Sequence, residues 1–127
     1  MSKLISTLER HEGFRSRPYL DTVGVWTFGH GFTFITEDES RVVLKMKVRK
    51  IKKELGTRLL GMSWNRKDVI VNMAYNLGVA GVLSFKNMWA AIDRKDWEEA
   101  ARQMLQSKWH IQVGNRAKEL AKIMVEG

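Results

Sequence analysis

The segment from His11 to Gly29 constrains the fold more than any other, because a helix must end and a hairpin must begin inside it. Leu4, Ile5 and Leu8 recur at helical spacing and lead into Glu12-Gly13. Glycine there closes a helix, since it takes the left-handed conformation without steric cost. Glu12 therefore sits at a helix C-terminus, a placement that makes its carboxyl group a candidate proton donor. Asp21-Thr22-Val23-Gly24 reads as a hairpin turn with Gly24 at the positive-φ position. Val25, Trp26, Thr27 and Phe28 are β-branched or aromatic and form the returning strand.

A proton donor, a turn carboxylate and a strand hydroxyl are thereby brought within one short segment. Glycosidic bond cleavage needs one carboxyl group kept protonated for the leaving sugar and a second kept ionised to activate water or to attack. Thr27 supplies a hydroxyl able to share a water with Asp21. Each placement alone is ordinary in a structural role. The combination makes Glu12, Asp21 and Thr27 catalytic candidates.

The chain is long enough for one domain with its own core, 127 residues of which 44% are hydrophobic, arranged as two lobes sharing a long helix. Its net charge of +8 points to an anionic partner: the bacterial envelope, nucleic acid or anionic lipid. The absence of cysteine removes disulfides, thiol nucleophiles and thiolate metal sites. His11, His30 and His110 have no metal-ligand spacing, so no cofactor and no metal is expected. No apolar run approaches the roughly 20 residues of a membrane span, and the first ten residues lack a secretory signal. Membrane insertion is not expected. Synthesis in a cytoplasm, without an export address, is.

Beyond the hairpin, Phe32 to Ile35 could continue as a strand, and Thr36-Glu37-Asp38-Glu39 reads as a capping box. A helix follows with Val42, Val43, Met46, Ile51 and Leu55 on one face and the most basic run of the chain on the rest, to Gly56. Ser63 caps a central helix ending at Leu77-Gly78, and residues 78–81 read as a turn into a helix holding Leu83, Met88, Trp89 and Ile92. Asp96 and Glu99 repeat the capping pattern before Trp97, Ala100, Ala101, Met104 and Leu105. Residues 108–114 break periodicity and read as a connector. A last helix buries Ala117, Leu120, Ala121 and Met124, and Trp26 is expected to pack between hairpin and helix.

The order Glu12, Asp21, Thr27 within His11-Glu12-Gly13-Phe14-Arg15 and Pro18-Tyr19-Leu20-Asp21-Thr22-Val23-Gly24-Val25-Trp26-Thr27-Phe28-Gly29 resembles the phage T4-type lysozymes, muramidases of glycoside hydrolase family 24. Asn72 to Gly78, Phe85, Trp97 to Ala101, Ser107 to Trp109 and Asn115 to Lys118 extend the likeness over most of the chain. The resemblance implies an α+β, predominantly helical, two-lobed lysozyme-like domain over 1–127. Its hairpin lobe would span about 13–35 and its connecting helix 36–56, with 1–12 and 60–127 forming the helical lobe. It further implies Glu12 as general acid, Asp21 with Thr27 positioning water, and Asn76, Phe85 and Arg116 as substrate-binding residues. Bacterial peptidoglycan becomes the expected partner of a monomer, with no nucleic acid, and the resemblance implies residence in a host cytoplasm until release to the wall, or carriage in a virion. Relatives read Gly-x-Gly-His after the threonine, where this chain has Gly29-His30-Gly31-Phe32, and the displaced histidine is mainly a structural ion-pair partner in the family. The shorter connection after the hairpin implies that part of the relatives' upper lobe is missing.

Two other readings stay open. One is a basic module that binds wall polymer or nucleic acid without turnover, although no zinc-finger or RRM aromatic pattern occurs. The other is a transglycosylase releasing an anhydro product, which would have no need for the water-holding pair.

Overall fold

The computed structural model describes residues 2–127. Two compact units meet in sequence between Val43 and Leu44. The first contains α1 (Leu4–Glu12), the strands β1 (Arg15–Leu20) and β2 (Trp26–Gly29), and the start of α2 (Glu37–Leu55). α1 thus groups with the hairpin, whereas the sequence reading grouped 1–12 with 60–127. No residue of α1 is buried, and the Glu12 side chain at its end lies over Gly31.

β1 and β2 pair antiparallel, with Tyr19 opposite Thr27, Leu20 opposite Trp26 and an irregularity between Arg15 and Tyr19. Beyond β2, Phe28 and Phe32 exchange both backbone hydrogen bonds at 2.8 Å, and the expected strand 32–35 goes no further. Trp26 is 61% exposed, contrary to the expectation that it packs between hairpin and helix. Thr27 points to the other side and is buried.

The capping box of α2 forms as written in the sequence. Thr36 Oγ1 accepts from the Glu39 amide at 3.2 Å, and a Glu39 carboxylate oxygen accepts from the Thr36 amide at 3.0 Å and hydroxyl at 2.7 Å. The two Thr36 donors favour the carboxylate and hold Glu39 below its ordinary pKa of 4.5. A depressed acid contributes stability above its unfolded pKa and loses it as pH falls through the folded one. The first turn of α2 should therefore fray in acid below pH 4.5, and this loss should vanish in Glu39→Gln, as read by amide exchange at residues 37–40.

In the second unit the remainder of α2 is followed by a 3-10 turn (Gly56–Leu59), α3 (Trp64–Leu77), α4 (Val79–Leu83), α5 (Lys86–Asp93), α6 (Trp97–Leu105), α7 (Lys108–Val113) and α8 (Asn115–Glu126). Two of these correct the sequence reading. Residues 79–83 form a short helix and not a turn, which separates Leu83 from α5. Residues 108–113 are a helix and not a connector, started by Ser107, whose Oγ accepts from the His110 amide. The apolar face expected on α2 also divides: Ile51 and Leu55 join the core, while Val42, Val43 and Met46 are exposed.

Val69, Ile70 and Met73 of α3, Met88 and Ile92 of α5, Met104 of α6 and Met124 of α8 form the centre of this core. Ala100, Ala101, Ala117 and Ala121 are buried where α6 and α8 pack together, small side chains that let the helices approach closely. Arg66 ties the ends of the unit together. Its Nε donates to the Met124 carbonyl at 2.8 Å, its Nη2 to the Val125 carbonyl at 3.0 Å, and its guanidinium lies 4.0 Å from the Trp97 ring centre. These carbonyls belong to the otherwise unpaired C-terminal end of α8. Arg66→Met should destabilise the protein by about 2 kcal/mol, through lost charge-assisted bonds and cation–π attraction, as measured by urea unfolding.

Candidate active site

The acid candidate is placed by a glycine. Glu12 is the last residue of α1, and the Gly13 amide, at φ 68°, donates to the Glu9 carbonyl at 2.9 Å to close the helix. From there the side chain extends over Gly31, whose φ is +78°. A Cβ built on Gly31 would stand 2.9 Å from the Glu12 carboxyl carbon, inside van der Waals contact. Gly29 plays the equivalent part for Phe32. A Cβ there would fall 2.6 Å from the Phe32 ring, which meets Phe28 edge-on at 5.9 Å. Phe32 thus seats its aromatic ring on a glycine. His30 stands between them, 5.3 Å from the ring of Phe14.

Asp21 is positioned by its own turn. The backbone closes between the Asp21 amide and the Val25 carbonyl at 3.0 Å, with Gly24 at φ 83°. Asp21 Oδ1 accepts from the Val23 amide at 2.9 Å and the Val25 amide at 2.8 Å, which leaves Oδ2 as a directed acceptor. Thr27 Oγ1 donates to the Val25 carbonyl at 3.1 Å. Asp21 and Thr27 are thus held by the two backbone groups of one residue, Val25. With its proton committed, Thr27 can only accept from a further partner. At 6% exposure Thr27 is the one buried polar residue among those described. Tyr19 lies opposite it, with the Arg15 guanidinium 4.7 Å from the Tyr19 ring centre.

The remaining candidates lie in the second unit. Asn76 Oδ1 accepts from the Trp109 indole at 2.7 Å, and Trp109, 2% exposed, meets Phe85 edge-on at 6.4 Å. An indole nitrogen only donates, so this bond fixes the amide of Asn76 with its NH2 group turned away from Trp109. Arg116 Nη2 and Nε donate to Asn72 Oδ1 at 2.7 and 3.0 Å. Asn72 and Asn76 are one turn apart, so both arrangements fall on the same side of α3. The sequence reading missed Asn72, whose signal was the i, i+4 pair of asparagines. It also missed Gly31, a contact with no local signature.

A family profile described as Phage lysozyme matches residues 9–123. "Probable T4-type lysozyme 1" of Dictyostelium discoideum is 39% identical over 62 residues, covering 49% of this chain and 36% of the relative. "Probable T4-type lysozyme 2" of the same organism is 30% identical over 73 residues, covering 58% and 43%. The pre-baseplate central spike protein Gp5 of Enterobacteria phage T4 is 25% identical across 155 aligned positions, covering 94% of this chain and 27% of that protein. The matched segments thus cover only 27 to 43% of the length of these relatives. The alignment with Gp5 is also longer than the 127 residues of this chain, so Gp5 carries segments that this chain lacks. With the profile covering nearly all of a mostly helical protein that has a small N-terminal hairpin, the chain belongs to the phage lysozyme family.

Proposed function

We propose that the protein is a glycoside hydrolase of peptidoglycan, cutting the β-1,4 bond between N-acetylmuramic acid and N-acetylglucosamine with Glu12 as general acid. Family membership and the word lysozyme in the names of two relatives support the activity and the substrate. The observation that carries the residue roles is the fastening of Asp21 and Thr27 to the same residue, Val25. A water hydrogen-bonded to Asp21 Oδ2 and Thr27 Oγ1 keeps a lone pair free to attack the sugar carbon, and its proton passes to the Asp21 carboxylate as the new bond forms. Glu12, resting on Gly31, delivers its proton to the departing oxygen. Attack on the face opposite the leaving group inverts the configuration. In the second unit, Asn76 offers amide donors to a sugar or acetamido oxygen, and Arg116 and Phe85 complete the binding residues. The protein acts as a monomer that reaches the wall from the host cytoplasm or within a virion.

Permeabilised Gram-negative cells should lose turbidity on addition of the protein, and released fragments should carry an intact reducing end by mass. Fragments lighter by one water would indicate the anhydro route, and unchanged turbidity with retained binding to wall sacculi would indicate a module without turnover.

A further inference from the structure

The surplus charge of this chain has an address. Residues 45–67 contain nine lysines and arginines and one acid, Glu54, whereas the rest of the chain contains thirteen basic and thirteen acidic residues. The whole net charge of +8 therefore resides on this one segment, which lies within the second unit. Lys45, Lys47, Arg49, Lys50, Lys52 and Lys53 are exposed on α2, and none forms an ion pair among the described residues. Lys45, Arg49 and Lys53 follow one another at i, i+4, a spacing at which like charges destabilise a helix. Anions from outside would relieve that crowding.

The same segment exposes large apolar side chains. Leu60 is 71% and Trp64 78% exposed, one residue before and three residues after Gly61, whose φ is +82°. The Lys67 ammonium lies 4.5 Å from the Trp64 ring centre. Ser63 caps α3 through the Arg66 amide at 3.2 Å, so Trp64 is presented at the start of a formed helix and not on a loose loop.

We propose that residues 45–67 form a docking surface for an anionic lipid bilayer. A polyanion such as nucleic acid would neutralise the lysines yet leave Leu60 bare in water. An apolar protein groove would cover Leu60 and Trp64 yet leave the cations without counterions. A leaflet of anionic lipids does both: headgroups meet the cations, while tryptophan and leucine enter the interface, where an indole is at home with one wet and one apolar side. The attachment is peripheral, as no helix here is long and apolar enough to cross a membrane. It does not depend on the glycan-cleaving reading.

Flotation of the full chain with vesicles of phosphatidylglycerol and phosphatidylethanolamine tests this against vesicles of phosphatidylcholine alone. Binding is expected to the first and not to the second. The double variant Leu60→Ser, Trp64→Ser keeps every charge and should lower partitioning at least about tenfold. Neutralising Lys45, Lys50 and Lys53 to glutamine should lower it about fivefold for each cation removed. Circular dichroism and urea unfolding of each variant confirm that the fold is kept. Equal binding to phosphatidylcholine would overturn the proposal. So would undiminished partitioning of the Leu60/Trp64 variant together with tight binding of duplex DNA, which would make the segment a polyanion site.

Discussion

Glu12→Gln should lower the rate of wall lysis by at least about a thousandfold while leaving the fold intact. Glutamine matches glutamate in size, so the side chain can still rest on Gly31, where a Cβ would crowd the carboxyl group. The helix end survives as well, because the Gly13 amide is capped by the Glu9 backbone carbonyl and not by the Glu12 side chain. What disappears is the transferable proton. Stability by urea unfolding should change by no more than about 0.5 kcal/mol, as for an exposed side chain without partners. Retained lysis would remove Glu12 from its role, and a large loss of stability would make the residue structural.

Gly31→Ala should also lower the rate, less severely and for a different reason. At φ +78° any side chain strains the backbone, by about 1–2 kcal/mol, and here the added carbon also meets the Glu12 carboxyl group at 2.9 Å. The glutamate must move aside. A displacement of about 1 Å in a reacting group can cost a hundredfold in rate. Gly56→Ala is the control, since Gly56 has φ +52° and open space around its would-be Cβ. Both variants should lose similar stability, and only Gly31→Ala should lose about a hundredfold in kcat. Equal activity in the two would mean that the contact between Gly31 and Glu12 has no bearing on the reaction.

How far this was legible beforehand depends on how local each interaction is. The caps at Thr36, Ser63 and Asp96 were readable because a side chain bonds to an amide three residues away, and all three bonds are present. The turn at Asp21 was readable from Gly24, which takes a φ of 83° as its place in the turn requires. α4 and α7 were missed because five or six residues are too few to establish a period, although Ser107 was a cap signal for the second. The exposure of Trp26 and of Val42, Val43 and Met46 depends on what packs against them, which periodicity does not report. Within the site, sequence order named Glu12, Asp21 and Thr27. The parts played by Gly31 and Val25 emerge only once the hairpin is built, since they depend on contacts across it or on backbone groups that no side-chain pattern reveals.

The account rests on a water held by Asp21 and Thr27 attacking opposite the group that Glu12 protonates. Proton NMR of a soluble peptidoglycan oligosaccharide in the first minutes of digestion, before the new reducing ends equilibrate, tests that directly. The α-anomer should appear first from the β-linked substrate. Early appearance of the β-anomer, or of a product with no free reducing end, would contradict it.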